Sequence, residues 1–432
     1  MRLRSQSTRA ATAVLAGAML LAACGSDSTT TEPSGSDTTA AEETPTESKA
    51  PAGNGDGTLT VGTLLPQTGS LAFLGPPEFA GVDLAVDEIN AAGGVLGKDV
   101  VQVKADSGDG TPNIAPREAT TLLDQDPDLI LGTASSSVSL SVIDKITGAG
   151  VVQISPANTS TVFDTYDDKG LYFRTAPSDV LQGAVMANLI TEDGFSNIAI
   201  MARQDSYGEA LAEQIDQRFT DAGGNVVATE LYDAEASNFG AEVQAIAAEK
   251  PDAIVLIAFD ETAKIIPEMI SNGIGPEDQQ IYFTDGNTAD WSDVFDKGTL
   301  EGVRATYPGA ELTDDFRKRM LEVNPKLKEF TYGPESYDAI LLAALAATAA
   351  EDDSGESIAS KLQEVSSGGT VCTEFQECVG MIEAGEDIDY NGVSGPVDFN
   401  DTGSPEAATI GIFEYKADNA FPPAVEYVEG QV

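Results

Sequence analysis

Short apolar runs alternate with longer amphipathic segments along most of the chain. The run LTVGTLLP is followed by EFAGVDLAVDEINAAGG, then by DVVQVKAD, a helical stretch after Pro112, and DLILGTA. In the first amphipathic segment, four apolar side chains share one helix face, namely Phe79, Val82, Val86 and Ile89. Gly93 and Gly94 then supply a left-handed stop. The alternation predicts βαβ units and a mostly parallel sheet.

A similar alternation returns later in the chain. The runs NIAIMARQ, YGEALAEQIDQRFTDAGG, NVVATELYD and DAIVLIAFD again mix strands with a helix, and an Ala-rich helix is predicted around residues 337–350. The spacing is too long for a solenoid, whose repeats are about 20 to 50 residues, so it favours two similar α/β lobes. Glycine ends helices in any α/β protein, so the repeat alone leaves this choice open.

The first residues have the pattern of an export signal. Three arginines precede an apolar core at residues 10–23, which is too short and too rich in alanine to predict a membrane span. The sequence LAAC then ends at Cys24 and resembles the lipobox of bacterial lipoproteins, although an ordinary export signal with a chance cysteine is the alternative. Residues 25–57 hold few apolar side chains and are predicted to form a flexible tether.

The charge balance excludes some classes of partner. The chain has 71 acidic and 23 basic residues, which gives a formal net charge of −48. Such a charge argues against nucleic acid and anionic lipid surfaces as partners. Solubility or adaptation to a salty medium explains the acidity more simply than an acidic recognition surface does.

The side chains that most often carry catalysis or bind metals are scarce. The chain has no histidine, which removes the usual general base and the commonest ligand of transition metals. Nucleophile-elbow, P-loop and dinucleotide-binding motifs are also absent from the sequence. The turns that start at Asp106 and Asp398 resemble fragments of a calcium loop but lack its full ligand pattern, so ordinary turns are expected. We therefore expect neither an enzyme nor a cofactor.

Two cysteines lie close together near the end of the chain. Cys372 and Cys378 belong to the run CTEFQEC, and a bond between them would close one small loop. In an oxidising compartment this spacing predicts a disulfide. A metal site is the alternative, but two thiols without a histidine leave the ligand set incomplete.

Three serines follow the apolar run LIL in the stretch GTASSSVSLS. Ligands of open α/β sheets bind outside the carboxyl ends of the strands, often against the N–H groups at a helix start. Ser135, Ser136 and Ser137 lie at such a place in the predicted βαβ pattern. Each serine is either a ligand contact or a helix cap.

Several runs, taken in order, resemble the type I periplasmic binding proteins of ABC importers, in particular the branch that binds branched-chain amino acids. TLLPQTGSLAFLGPPEFAGVDLAVDEINAAGGVLGK resembles the N-terminal signature of that branch. GTASSSVSLS, GVVQISPANTS, YFRTAPSD, QDSYGEALAEQ and DAIVLIAFDETAKIIPEMISNG follow in the order of the family. The resemblance extends from about Leu59 to the C-terminus and is weaker after Asp290.

This resemblance implies an α/β fold of two similar Rossmann-like lobes, joined by a hinge of three crossovers, with the solute between them. The expected divisions are a signal peptide at 1–23, a lipidated cysteine and tether at 24–57, an N-terminal lobe at 58–178 plus about 305–405, and a C-terminal lobe at 179–304 plus about 406–432.

The resemblance also implies ligand contacts, residue by residue. Ser136 matches a serine that binds the α-carboxylate, with Ser135 and Ser137 beside it. Ala157 and Thr159 match positions that contact the carboxylate and amino groups. From the second lobe, Tyr207 lines the cleft and Asp285 matches an acidic residue that faces the ammonium group of the ligand.

Two departures from the family affect the expected ligand. Phe259 stands where amino-acid binders often have tyrosine, which removes a hydroxyl near the ammonium group, and Leu74 stands near a position that is often aromatic. A branched-chain or other apolar amino acid is the preferred solute, and urea, a short amide or an aromatic acid are alternatives. Tyr207 and Phe259 could instead be core residues, and Asp285 a helix cap.

The resemblance implies a monomer, anchored by lipid on the extracytoplasmic face of the cell membrane. It would deliver its solute to an ABC permease and the associated ATPase. A different class remains open, because a sensory receptor system can use the same kind of binding component. Neighbouring permease and ATPase genes would favour import, whereas a kinase or chemoreceptor gene would favour sensing.

The anchor can be tested with a single substitution. Cys24→Ser should release the protein from the membrane fraction, because a multiply acylated cysteine holds a chain at the bilayer with about 0.8 kcal/mol per buried methylene. Fractionation and metabolic labelling with a fatty acid measure the outcome. Continued lipid labelling of the variant would contradict the lipobox interpretation.

Overall fold

The computed structural model describes residues 55–108 and 114–432. The predicted signal peptide at 1–23, Cys24 and all but the last three residues of the predicted tether lie outside the described residues. The rest of the chain forms two α/β lobes, each built around its own sheet.

The first lobe contains a five-stranded, fully parallel sheet in the order β2-β1-β3-β4-β5. Its strands are β1 (Thr60–Leu65), β2 (Val101–Asp106), β3 (Leu129–Gly132), β4 (Val152–Ser155) and β5 (Tyr172–Arg174). The connecting helices are α1 (Gly75–Ala91), α2 (Ala115–Leu123) and α3 (Ser136–Gly148). β3 and β4 are buried along their whole length, which explains their continuous apolar pattern.

The second lobe repeats this architecture, as the recurring sequence pattern indicates. Its parallel strands are β6 (Asn197–Arg203), β7 (Asn225–Tyr232), β8 (Ala253–Ile257), β9 (Gln280–Phe283) and β10 (Arg304–Pro308). Its helices are α4 (Asp179–Glu192), α5 (Ser206–Asp221), α6 (Gly240–Glu249) and α7 (Thr262–Ser271). β10 pairs with β9, so the boundary expected at about residue 305 falls inside a strand of the second lobe.

After β10 the chain returns to the first lobe and then crosses back. The returning elements are α8 (Asp314–Val323), α9 (Gly333–Ala350), α10 (Gly355–Ser366), β11 (Thr370–Cys372), α11 (Phe375–Glu383) and β12 (Ile388–Tyr390). The final strands, β13 (Ala407–Glu414) and β14 (Ala424–Gln431), join the second sheet as antiparallel neighbours of β10. With the passage from β5 to α4, the chain therefore crosses between the lobes three times, which confirms the expected fold.

Helix α9 forms the centre of the first lobe. Its residues from Gly333 to Ala347 are buried, in agreement with an Ala-rich sequence that is apolar on every side from Ala339 to Ala347. It packs against α1 with the two backbones in close approach: a Cβ atom on Gly81 would lie 2.1 Å from the carbonyl oxygen of Gly333. Only glycine fits at this crossing. The side chains of α1 and α9 belong to the same buried cluster, so the early and late parts of the chain share one core.

The predicted disulfide between Cys372 and Cys378 is present. The bond joins β11 to α11, with the two Cα atoms 5.5 Å apart. Both cysteines are buried, so the disulfide is part of the packing at the edge of the first lobe.

The close contact of α1 with α9 predicts that Gly81→Ala and Gly380→Ala change the free energy of unfolding in opposite directions. Gly81→Ala should lower the free energy of unfolding by roughly 1 to 3 kcal/mol, because the new methyl group overlaps backbone atoms that cannot move independently. Gly380→Ala is the matched control, since Gly380 lies in α11 and a Cβ there meets no atom within 4 Å. The control should gain about 0.5 to 1 kcal/mol from reduced backbone entropy. Urea unfolding of both variants measures the difference, and equal effects would contradict the proposed contact.

Candidate functional site

The two lobes meet where helices α3 and α5 begin. The Ser137 and Ser206 hydroxyls, one in the first turn of each helix, lie 3.2 Å apart, and the Ser160 hydroxyl donates to the main-chain carbonyl of Ser206 at 2.7 Å. We call this junction the cleft, and its polar lining includes Ser135, Thr159, Asp179, Tyr207 and Asp285. Helix starts from both lobes therefore converge on it.

The three serines of GTASSS have different environments. Ser135 is the residue before α3, yet its hydroxyl makes no capping hydrogen bond and has no partner among the described residues, although it is buried. Ser136 accepts a long hydrogen bond from the Ser160 N–H at 3.4 Å. Ser137 faces the other lobe through Ser206. The helix-cap alternative thus does not describe Ser135, whose hydroxyl is available to a ligand.

The loop after β4 holds Ala157 and Thr159 against the serine stretch. The Ala157 N–H donates to Ser155 Oγ at 3.3 Å, so this main-chain donor already has a partner inside the protein. Thr159 Oγ1 is buried beside the Asp179 carboxyl, whose pKa it lowers. The Asn158 side-chain amide donates to two carbonyls of the serine stretch, at 2.9 Å each, which fixes the loop beside α3.

Arg174, at the end of β5, holds the same loop by hydrogen bonds to its main chain. This guanidinium is fully buried, is paired with Asp164, and donates to the carbonyls of Asn158 and Ser160 at 3.2 and 2.9 Å. It also donates to Ser404 Oγ at 2.8 Å. Since these partners occupy its donors, the guanidinium positions the loop.

Asp285 lies in a short turn after β9, with its carboxylate buried in the cleft. Tyr207 Oη and Gln182 Nε2 donate to Asp285 Oδ1 at 2.7 and 2.8 Å, and Tyr332 Oη donates to Asp285 Oδ2 at 2.7 Å. Burial raises the pKa of Asp285, and the three donors act in the opposite direction. Among the described residues, no Lys or Arg forms an ion pair with this carboxylate, so its charge has no partner in the protein.

Asp179, the first residue of α4, is a second buried carboxyl of the cleft. Neither of its carboxylate oxygens has a hydrogen-bond partner among the described residues. Burial raises its pKa well above the ordinary value, and the negative charge of Asp285 raises it further, while Thr159 and Arg174 lower it. The two carboxyls are therefore close enough for their charges to interact.

Aromatic and apolar side chains complete the wall. Phe259 stacks on Tyr207 with ring centroids 5.4 Å apart, and the Arg203 guanidinium lies 3.6 Å from its other face. Arg203 is itself paired with Asp205 and Glu261. Leu74 is buried in the same apolar cluster as Phe259 and Tyr207. Phe259 is thus held between two neighbours, and its predicted ligand contact stays a prediction.

Sequence reasoning missed Asp179, Gln182, Tyr332 and Arg174. Asp179 stands in the run YFRTAPSD, but an acidic residue at a helix start is explained equally well by the helix dipole. Tyr332 follows Asp285 by 47 residues and Gln182 precedes it by 103, so neither has a local signal. Within residues 55–108 and 114–432, no group of three or more Cys, Asp or Glu side chains could hold a metal ion.

Comparisons with known proteins agree with this geometry. Residues 58–418 match the family profile described as periplasmic binding protein. The chain is 29% identical over 355 residues to the chemotactic signal transduction system substrate-binding protein BasB of Halobacterium salinarum, which covers 79% of this chain and 83% of the relative. It is 25% identical over 363 residues to the leucine-specific-binding protein of Salmonella typhimurium, covering 82% and 89%.

Solved structures show the same fold. LivJ of Streptococcus pneumoniae, in complex with isoleucine, superimposes with a TM-score of 0.70 at 22% identity and covers 87% of this chain and 100% of its own. A solute-binding protein of an ABC transporter from Rhodopseudomonas palustris, in complex with 4-hydroxybenzoate, has a TM-score of 0.72 at 17% identity, covering 87% and 98%.

The family match covers most of the chain, and the fold agrees with it. In the part of the chain that the structure describes, no helix is both long and apolar enough to cross a bilayer. This chain belongs to the periplasmic binding protein family, and it is an extracytoplasmic solute-binding protein, not an enzyme.

Proposed function

We propose that this protein captures an apolar amino acid, such as leucine, isoleucine or valine, between its lobes and delivers it to an ABC permease. The observation that carries the proposal is the separation of polar groups in the cleft. Hydroxyls and a helix N-terminus lie on the first-lobe side, Asp179 lies next to Thr159 and interacts with Asp285, and Asp285 lies on the second-lobe side without a Lys or Arg ion-pair partner among the described residues.

The first-lobe side suits the carboxylate of an amino acid. The Ser135 hydroxyl is buried and without a partner in the described structure, the buried Thr159 hydroxyl lies beside Asp179, and Ser136 begins α3. The free N–H groups at a helix start favour an anion. A ligand carboxylate placed there would accept hydrogen bonds that no group of the described protein now takes.

The opposite side suits an ammonium group. An unpaired carboxylate is costly to bury, and a charged partner at hydrogen-bond distance offsets that cost. An ammonium between Asp179 and Asp285 would provide this partner for both. Urea, a neutral amide or a simple aromatic acid would leave the two carboxyls without a counter-charge, so an amino acid is favoured over these alternatives.

The ligand side chain would meet an apolar wall. Leu71 and Leu74 approach from the first lobe, and Tyr207 and Phe259 from the second, within one buried cluster. These side chains offer few polar partners, which favours an aliphatic side chain over a charged one. The isoleucine bound by LivJ is an amino acid of this class.

Attachment to the membrane is part of the proposal. The lipobox resemblance at Cys24 supports a lipid anchor on the extracytoplasmic face, and the family match supports an ABC permease as the partner. An anchored binding protein stays near its permease, because the tether raises the local concentration of the loaded form.

Sensing is a second candidate function. The relative that supports it is BasB, which is described as part of a chemotactic signal transduction system and aligns over 79% of this chain. Closure around an amino acid would serve a receptor as well as a permease. Deletion of the gene separates the two, because loss of uptake with normal chemotaxis supports import, and the reverse supports sensing.

A thermal-shift screen tests the proposed ligand. Leucine, isoleucine or valine at 100 times its dissociation constant should stabilise the protein by about 2.7 kcal/mol and raise Tm, because the ligand binds only the folded state. 4-Methylpentanoate, which is leucine without its amino group, should give no shift. Equal shifts with 4-methylpentanoate, benzoate or urea would contradict the assignment of the carboxyls to an ammonium group.

Two variants locate that binding in the cleft. Asp285→Asn should weaken leucine binding by roughly 2 to 5 kcal/mol, because the ammonium loses a buried charged partner. Ser136→Ala should cost about 1 to 2 kcal/mol, since main-chain donors remain. Asp144→Asn removes an equal charge from the exposed face of α3 and is the control. If calorimetry gives Asp285→Asn the same affinity as this control, the site assignment is wrong.

Substitution of Asp179 should stabilise the ligand-free protein and weaken leucine binding. Because its pKa is higher in the folded than in the unfolded state, its contribution favours folding at acid pH and is lost as pH rises towards the folded pKa. Asp179→Asn should therefore raise the free energy of unfolding of the ligand-free protein by roughly 1 to 3 kcal/mol at pH 8, and by less at pH 5.

The same substitution should weaken leucine binding. Urea unfolding at both pH values and calorimetry with leucine measure the two effects. A stability gain that is the same at pH 5 and pH 8 would show that the charge of Asp179 is not its cause.

A further inference from the structure

A second cavity lies at the hinge, away from the predicted ligand contacts. Its volume is about 210 Å³, and its walls come from the second lobe, from the returning segment after β10 and from the start of α9. We call it the hinge pocket and define it by Tyr307, Glu329, Phe330, Glu335, Phe413 and Phe421. None of the residues predicted to contact the amino acid lines it.

Aromatic rings form much of the hinge pocket. Phe413 is at the centre of this group, with its ring centroid 5.9 Å from that of Tyr307, 5.8 Å from that of Phe421 and 6.3 Å from that of Tyr427. Phe330 supplies a further ring from the returning segment. The faces of such rings carry negative electrostatic potential, which attracts cations.

Three polar atoms of the lining are buried without a partner in the described structure. They are Glu335 Oε2, Glu329 Oε2 and Thr331 Oγ1. Glu335 and Thr331 are each only 2% exposed. Buried polar groups nearly always have a hydrogen-bond partner, so these three oxygens around one cavity are available to a ligand that enters it.

The protein itself supplies little positive charge to these carboxyls. Burial raises the pKa values of Glu329 and Glu335 to about 8. Glu78 lies behind Glu335, is fully buried, and adds a further acid. At the rim, Lys328 forms ion pairs with Asp290 and Asp293, and its charge also acts to lower the pKa of Glu329.

Arg317 is the other basic residue of the lining. It is exposed, and its guanidinium lies over the Phe330 ring at 4.7 Å. Among the described residues, neither Glu329 nor Glu335 has a Lys or Arg ion-pair partner. The hinge pocket therefore combines aromatic rings with two carboxyls that have no ion-pair partner, and a bound cation would favour their ionised form.

We propose that the hinge pocket is a second binding site, which takes a small organic ammonium ion. Aromatic faces and a buried carboxyl together recognise the positive charge and the apolar substituents of such an ion. The site is distinct from the amino-acid cleft. Because both lobes contribute to its walls, binding there is linked to the angle between the lobes, and the linkage with the cleft ligand is reciprocal.

Choline and 3,3-dimethylbutan-1-ol test the proposal on the purified full-length protein. The two molecules have nearly the same shape, but only choline is charged. Calorimetry should show saturable binding of choline at one site and at least tenfold weaker binding of the alcohol. Glu335→Gln should weaken choline binding at least tenfold and leave leucine binding measurable.

Two further variants keep the test decisive. Phe421→Leu removes one ring and should also weaken choline binding, whereas Asp285→Asn removes no group from the hinge pocket and should change choline binding by less than Glu335→Gln does. The thermal melts of all variants establish that they are folded. The proposal is overturned if choline does not bind, if the neutral alcohol binds equally well, or if Asp285→Asn rather than Glu335→Gln abolishes choline binding.

Discussion

Asp285 is buried with three neutral donors and, among the described residues, no cation. A carboxylate in that setting retains much of its unfavourable desolvation, and nearby Asp179 increases the cost. Without a ligand, the cleft therefore buries a carboxylate that has no counter-charge among the described residues. A ligand cation that fits between the lobes makes closure more favourable, so recognition and conformational change depend on the same charge.

Polar residues of the cleft surround Asp285 with neutral hydrogen-bond donors and leave the place of a cation to the ligand. Tyr207 comes from the second lobe and Tyr332 from the segment that returns to the first, and both hydroxyls donate to Asp285. The turn that holds Asp285 thus has contacts with elements on both sides of the hinge. Arg174, in contrast, is fully engaged in fixing the loop around Thr159, so the two ends of the cleft have opposite polarity without a free cation from the described residues.

Much of this architecture can be predicted from the sequence, because helix and strand periods are local properties. The alternation of apolar runs indicates the two parallel sheets, and the spacing of Cys372 and Cys378 indicates their bond. The ordered motifs direct attention to Ser135, Thr159 and Asp285, which the structure brings to one junction. Whether the side chains of these residues have hydrogen-bond partners is not a local property, and the same is true of the role of Asp179. It depends on which distant side chains meet them after folding.

The close approach of Gly81 in α1 to Gly333 in α9 has a consequence for biogenesis. The core of the first lobe needs a helix that is synthesised more than two hundred residues after its first strand. The second sheet also waits for β13 and β14. Neither lobe can finish folding before the C-terminal third of the chain has been synthesised, so an incomplete chain has no stable core and could pass through a translocation channel unfolded. Late folding of this kind keeps the chain in the unfolded form that translocation needs.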